Sequence, residues 1–141
     1  HRGALEAGGK TIAVLANGVD ITYPRSNAKT REKLLKTGAV VSEYAPGVAP
    51  LPWYFPIRNR IISGMCIATL VIEASARSGS LITARLAGEQ NREIFAVPGG
   101  SGKSPSQGTM NLIKEGANLV TSPEEIIDYY QNLLPNENLK I

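Results

Sequence analysis

The stretch IATLVIEASARSGSLITARLAGEQNREIFAVPG, residues 67–99, decides the fold. IATLVIEA (67–74) is a short apolar run rich in β-branched residues, the composition of a strand buried on both faces. SGSLITARLAGEQ (78–90) switches to helical periodicity, and REIFAVPG (92–99) returns to a strand. Strand, helix and strand within about thirty residues form the unit of a parallel sheet with a crossover helix.

The alternation continues in both directions. KTIAVLA (10–16) reads as a strand. NAKTREKLLKTG (27–38) reads as a helix, with Asn27 as its cap and Gly38 as its stop. AVVSEY (39–44) is a second strand, and YAPGVAPLPWYFP (44–56) is a long loop whose four prolines oppose a helix. RNRIISGM (58–65) and QGTMNLIKEG (107–116) read as helices, and ANLVTS (117–122) as a short strand. SPEEIIDYYQNLL (122–134) is the last helix, with Ser122 as cap, Pro123 at its first position and two glutamates in its first turn. The expectation is an α/β fold: a mostly parallel sheet of about five strands with helices on both faces. It places one domain over residues 1–135 and a C-terminal tail over 136–141. HRGALEAGG (1–9) reads as the end of a helix whose start lies upstream, so the chain is expected to be part of a longer protein.

Composition excludes several classes. At 43% hydrophobic, the 141-residue chain carries no apolar run near the roughly 18–20 residues of a spanning helix. No charged-then-apolar leader opens it, and lone Cys66 cannot form an internal disulfide; both fit a reducing cytoplasm. Cys66 lies in an apolar run and is expected in the core. The only histidine is His1, which removes Ser-His and Cys-His nucleophilic machinery and His-based metal sites. No cofactor fingerprint is visible. The net charge of +3 favours anionic partners only mildly, so affinity for a polyanion must come from local placement.

In open α/β sheets ligands bind at the carboxyl ends of strands, where backbone N–H groups of helix starts favour anions. After the first strand, YPRSN places Arg25 and Asn27 near a helix start, where a cation is disfavoured by the dipole. Arg25 is there for an anion or is a plain loop arginine. After the second strand, FPIRNRIISG (55–64) holds Arg58, Asn59 and Arg60. Two positions apart on a helix, the arginines point to nearly opposite sides. One can face the strand ends while the other braces the loop or meets solvent, and Asn59 can donate and accept. Trp53, Tyr54 and Phe55 either stack on bases or pack the loop onto the core. After the third strand, Ser78, Gly79 and Ser80 form either an anion cradle or an ordinary capped helix start. After the fourth, Gly102, Lys103 and Ser104 mimic a P-loop but fail it, because Val97 stands where the first glycine belongs and Pro105 follows. No nucleophile–base pair is evident.

Several long motifs, HRGALEAGGKTIAVLANGVDITYPRSN, FPIRNRIISG, VIEASARSGSLITARLA, FAVPG and GTMNLIKEGA, resemble the DNA-processing protein A (DprA, also called Smf) family. The match runs in order up to about Thr121. The resemblance implies a Rossmann-like three-layer sandwich that binds single-stranded DNA, works as a homodimer without enzymatic activity, and helps load the RecA recombinase in natural transformation. It carries over Arg25, Asn27, Arg58, Asn59, Arg60 and the turn Ser78–Ser80 as nucleic-acid-binding positions. It also implies a strand and glycine-rich segment ahead of His1 that contributes to the pocket. Two other readings compete. One is a nucleotide phosphoribohydrolase of the LOG type; here VPGG is separated from Gly108 and Thr109, and no glutamate follows at the expected spacing. The other is an interaction module using Ile126, Ile127, Tyr130 and Leu134, which at helical spacing equally suit packing on the sheet.

Overall fold

A computed structural model describes residues 1–100 and 106–133. In chain order the elements are α1 (Arg2–Glu6), β1 (Ile12–Val14), a 3-10 turn (Arg25–Asn27), α2 (Ala28–Thr37), β2 (Ala39–Val41), α3 (Tyr54–Gly64) and β3 (Ala68–Val71). They continue with α4 (Gly79–Glu89), β4 (Glu93–Ala96), α5 (Gln107–Lys114), β5 (Asn118–Leu119) and α6 (Pro123–Leu133). Every strand pairing among the described residues is parallel, as the strand–helix–strand unit requires. The five strands divide between two sheets, β1–β2 and β3–β4–β5, rather than forming one. The chain likewise divides into two compact units, residues 1–62 and 63–141. The Gly102-Lys103-Ser104 triplet with Pro105, Leu134 and the expected tail 136–141 lie outside the described residues.

In the first unit, Ile12 pairs with Ala39 and Val14 with Val41. Leu15 N–H reaches Val41 C=O at 2.9 Å, so the ladder outlasts the strand by one residue. Val14, Ala16 and Leu34 of α2 are buried. Gly38 ends α2, but its φ of −139° lies in a region any residue adopts. Closeness is what demands glycine: a Cβ there would lie 1.9 Å from the Thr11 carbonyl oxygen, below any tolerable contact. Gly38→Ala is therefore expected to destabilise the protein by about 1–3 kcal/mol. Urea unfolding checks this, and an unchanged midpoint would mean that β1 and the end of α2 separate at no cost. Asn27 does not cap α2 with its side chain; the preceding 3-10 turn supplies the helix entry instead. The helix α3 starts at Tyr54, within the expected loop, and takes Pro56 into its first turn. A proline is tolerated there because the first four N–H groups of a helix have no partner to lose.

In the second unit, β4 is central, with Val71 opposite Ala96 on one side and Ala96 opposite Leu119 on the other. Val71, Ala74 and Ala84 form a buried cluster with Leu81, Ile94 and Leu112 packed against it. Alanines at 84 and 87 are fully buried and let α4 approach the sheet closely. At α6, Thr121 donates its N–H (3.1 Å) and hydroxyl (2.6 Å) to the Glu125 carboxylate. That hydroxyl, then the backbone N–H, holds the Glu125 carboxyl below its usual range. Cys66 is exposed, contrary to expectation. The helix α3 ends at Gly64 and β3 begins only at Ala68, so Cys66 falls in the turn between them. No helix among the described residues is long and apolar enough to cross a membrane.

Candidate functional site

In the first unit, two loops at the carboxyl ends of β1 and β2 are tied together. Asn17 is buried, and its side-chain amide donates to the carbonyls of Gly18 (2.9 Å) and Ile21 (2.8 Å). Its own carbonyl accepts the Ser42 hydroxyl at 2.8 Å. Gly18 N–H donates to Val48 C=O, and Gly47 N–H donates to both carboxylate oxygens of Asp20, at 2.9 and 3.0 Å. A Cβ on Gly18 would stand 2.6 Å from the Ala45 carbonyl oxygen, so these loops pass at a distance that only glycine permits.

This frame holds Arg58. Its Nη1 donates to the Val14 carbonyl, at the last residue of β1, and its Nε donates to the Asn59 side-chain oxygen at 3.2 Å. The guanidinium carbon lies 5.6 Å from the centre of the Phe55 ring, within cation–π range. Burial lowers its pKa, yet an arginine keeps its proton at neutral pH. Nη2 makes no hydrogen bond with a described residue, which leaves donors for a ligand.

Arg60 points elsewhere, as the two-residue spacing predicts. Its Nη2 bridges both oxygens of Glu43, each at 2.5 Å, in a half-exposed ion pair just after β2. It braces the loop. Arg25 is exposed, its side chain makes no hydrogen bond or ion pair with a described residue, and it sits in the same 3-10 turn as Asn27. Asn27 and Arg58 both line a cavity of about 400 Å³, walled by Val14, Ile21, Pro24 and Phe55. That volume falls within the range of about 300–1,000 Å³ usual for small-ligand sites.

Arg31 lines the same cavity and was not singled out from the sequence. It donates to the Thr22 hydroxyl at 2.9 Å and to the Val19 carbonyl, fastening the loop before the 3-10 turn. Its Nε is buried without a hydrogen-bond partner. A mid-helix arginine ordinarily reads as solvated, and only the course of the Val19–Thr22 loop reveals its task. The aromatic residues divide their roles. Tyr54 stacks on Tyr44 at 4.1 Å, and Phe55 meets Tyr23 at 6.1 Å. Trp53 stays 59% exposed, so it alone of the three from the long loop offers most of its surface to a ligand.

In the second unit, the Ser78 hydroxyl accepts from Ser80 N–H at 3.3 Å, closing an ordinary N-cap at the start of α4. Ser78, Gly79 and Ser80 are thus a capped helix start, with Gly79 and Ser80 exposed. Gly108 and Thr109 are buried in packing. Gly108 N–H donates to Ala74 C=O at 2.7 Å, and a Cβ would stand 2.7 Å from that oxygen. The Thr109 hydroxyl donates to Ser106 C=O at 3.1 Å. Neither is placed to grip a phosphate, as the LOG reading needs. Among the described residues no group of three or more His, Cys, Asp or Glu could hold a metal ion. The first five sequence-predicted positions lie in the first unit and the last three in the second.

Comparison with known proteins agrees with the motifs. The family described as DNA recombination-mediator protein A matches residues 1–131. Protein Smf of Escherichia coli is 52% identical over 132 residues, covering 93% of this chain and 35% of that protein. The crystal structure of DNA processing protein A from Streptococcus pneumoniae is similar with a TM-score of 0.82 at 47% identity, over 91% of this chain and 45% of that one. DNA processing protein A from Helicobacter pylori, known for its single-stranded DNA binding mode, has a TM-score of 0.79 at 22% identity, over 93% of this chain and 70% of that one. At that identity the likeness concerns the fold. The chain spans 35% to 46% of the length of three curated relatives it matches.

Proposed function

The chain belongs to the DNA recombination-mediator protein A family, and on that premise we propose that it binds single-stranded DNA as the core of a recombination mediator. The observation that carries the reading is Arg58, held half-buried at the carboxyl end of β1 with donors left over, lining one cavity with Asn27. Arg25 lies in the adjoining turn. A guanidinium so placed can hold a phosphodiester, and the exposed Arg25 can hold the next. Asn27 and Asn59 offer donors and acceptors, and exposed Trp53 offers a ring face for bases without strong sequence preference. In the second unit the turn Ser78–Ser80 would offer backbone N–H groups of its own to a phosphate, and in the first Arg60 would act by shaping the loop rather than by direct contact.

In the full protein the role is to protect incoming single strands and help load the RecA recombinase in natural transformation, in the cytoplasm, as a homodimer and without catalysis. Residues 1–135 serve as the binding domain and 136–141 as a tail. The family's description as a DNA recombination mediator supports a DNA ligand.

Titration with labelled single- and double-stranded oligonucleotides tests the proposal. Preference for single strands supports it; no binding by this chain or by the full-length protein would overturn it. Because the Arg25 side chain is exposed and makes no hydrogen bond or ion pair with a described residue, Arg25→Ala is expected to leave the melting temperature unchanged. It should weaken single-strand binding and shrink the slope of log Kobs against log[salt] by about 0.7. Unchanged affinity and slope would remove Arg25 from the interface.

A further inference from the structure

Beyond the strand exits, we infer that the outer face of α2 is a basic track that carries the single strand away from the cavity. Lys29, Lys33 and Lys36 are spaced i, i+4 and i+7, so they fall within about 60° of arc on one helix face. All three are exposed, and none forms an ion pair with a described residue. Two arginines elsewhere are neutralised, Arg60 by Glu43 and Arg85 by Glu89.

Two further cations extend the track. Arg2 lines a hollow of about 350 Å³ together with Lys29, Lys33, Ser26 and Thr30. Arg2 and Thr30 line both this hollow and the cavity that holds Asn27 and Arg58, so the two adjoin, and exposed Arg25 directly precedes Ser26 of the hollow. The anions in the region are Glu6, which lines the same hollow, and Glu32, which flanks the stripe. Within α2 itself Lys29, Arg31, Lys33 and Lys36 stand against Glu32 alone, an excess of three, equal to the formal net charge of the entire 141-residue chain. The remaining charges of the molecule balance, and the surplus lies along one helix.

A linear arrangement of well-hydrated ammonium groups suits a backbone of evenly spaced phosphodiesters and no compact anion. Lysine heads act as point charges without bidentate geometry, so the track would add affinity and salt dependence but no sequence reading. From Lys29 to Lys36 the helix rises about 10 Å, room for about two phosphates. The inference rests on the single-stranded DNA reading and extends it from the cavity to a path.

The test compares three proteins binding an oligothymidylate at a series of salt concentrations. The first is the unaltered chain. The second carries Lys29→Gln, Lys33→Gln and Lys36→Gln. The third carries Arg85→Gln, Arg92→Gln and Lys114→Gln, which removes the same charge from exposed positions outside the site. Glutamine matches lysine in helix propensity, so α2 should persist, as far-ultraviolet circular dichroism would confirm. The α2 variant should lose roughly tenfold in affinity at low salt, with the salt slope smaller by about 1.4 for two lost phosphates. The control variant should keep its slope. Equal losses in both variants would reduce the effect to net charge and overturn the track. So would an unchanged α2 variant in a protein whose Arg58 variant is impaired, and that outcome leaves the cavity reading standing. No binding by either the unaltered chain or the full-length protein would overturn both.

Discussion

Phe95→Ala is expected to cost about 3–5 kcal/mol, enough to consume much of the roughly 5–15 kcal/mol that holds a domain folded. Phe95 is 1% exposed and sits in the central strand β4, opposite Leu70 in β3 and Asn118 in β5. Its ring meets Tyr129 edge-on at 5.3 Å and Tyr130 at 6.3 Å, and the two tyrosines meet each other at 5.3 Å. Each such pair adds about 0.5–1.5 kcal/mol beyond area burial, so one truncation removes two of three aromatic contacts. The Tyr130 hydroxyl also donates to Ile67 C=O at 3.2 Å, which ties α6 back to the chain just before β3. Losing the ring between them should loosen α6 first, seen as faster amide exchange along 123–133 ahead of global unfolding. Phe95→Leu, closer in volume, should cost less than about 1.5 kcal/mol. A loss below about 1 kcal/mol for the alanine variant would show that α6 contributes little to the second unit.

The order of elements was readable because each strand announces itself by β-branched, apolar runs and each helix by its period. Boundaries were less so, for identifiable reasons. The strand runs 10–16 and 67–74 contract to Ile12–Val14 and Ala68–Val71, because pairing ends where a neighbouring strand ends and composition carries no record of that neighbour's length. Cys66 looked like core from its apolar neighbours, but a turn exposes it, along with Met65 and Ile67. Pro56 looked like loop, although the first turn of a helix accommodates it. Of the residues singled out by their position after strand ends, Asn27 and Arg58 line one cavity and Arg25 lies in the adjoining turn. The divergence of Arg58 and Arg60 followed from helix geometry alone. Arg31 escaped notice, because its function depends on a loop nine to twelve residues earlier folding back onto α2. The even choice at Ser78–Ser80 between cradle and cap is narrowed by one hydrogen bond that no sequence pattern specifies.

Arg58 should show the largest functional effect, and its variants separate two roles that a single substitution would confuse. As a brace, its guanidinium satisfies the Val14 carbonyl and packs over Phe55; removing it leaves that carbonyl without its donor. A hydrogen bond from a charged group to such an acceptor is worth about 1.5–3 kcal/mol, so Arg58→Ala should lower stability by an amount of that order. As a ligand contact, its remaining donors meet a phosphodiester, and the same variant should lose at least about tenfold in single-strand affinity, with the salt slope smaller by about 0.7. Arg58→Lys keeps the positive charge but cannot span the carbonyl and a phosphate with one planar fork. It should keep the salt slope while losing part of both stability and affinity. Arg25→Ala supplies the reference, since it removes a cation with no structural partner. Should Arg58→Ala and Arg58→Lys destabilise the protein alike while both bind DNA with the slope of the unaltered chain, Arg58 would be a brace alone. The anionic ligand would then have to be held by Arg25 and the lysines of α2, and the cavity would not be its seat.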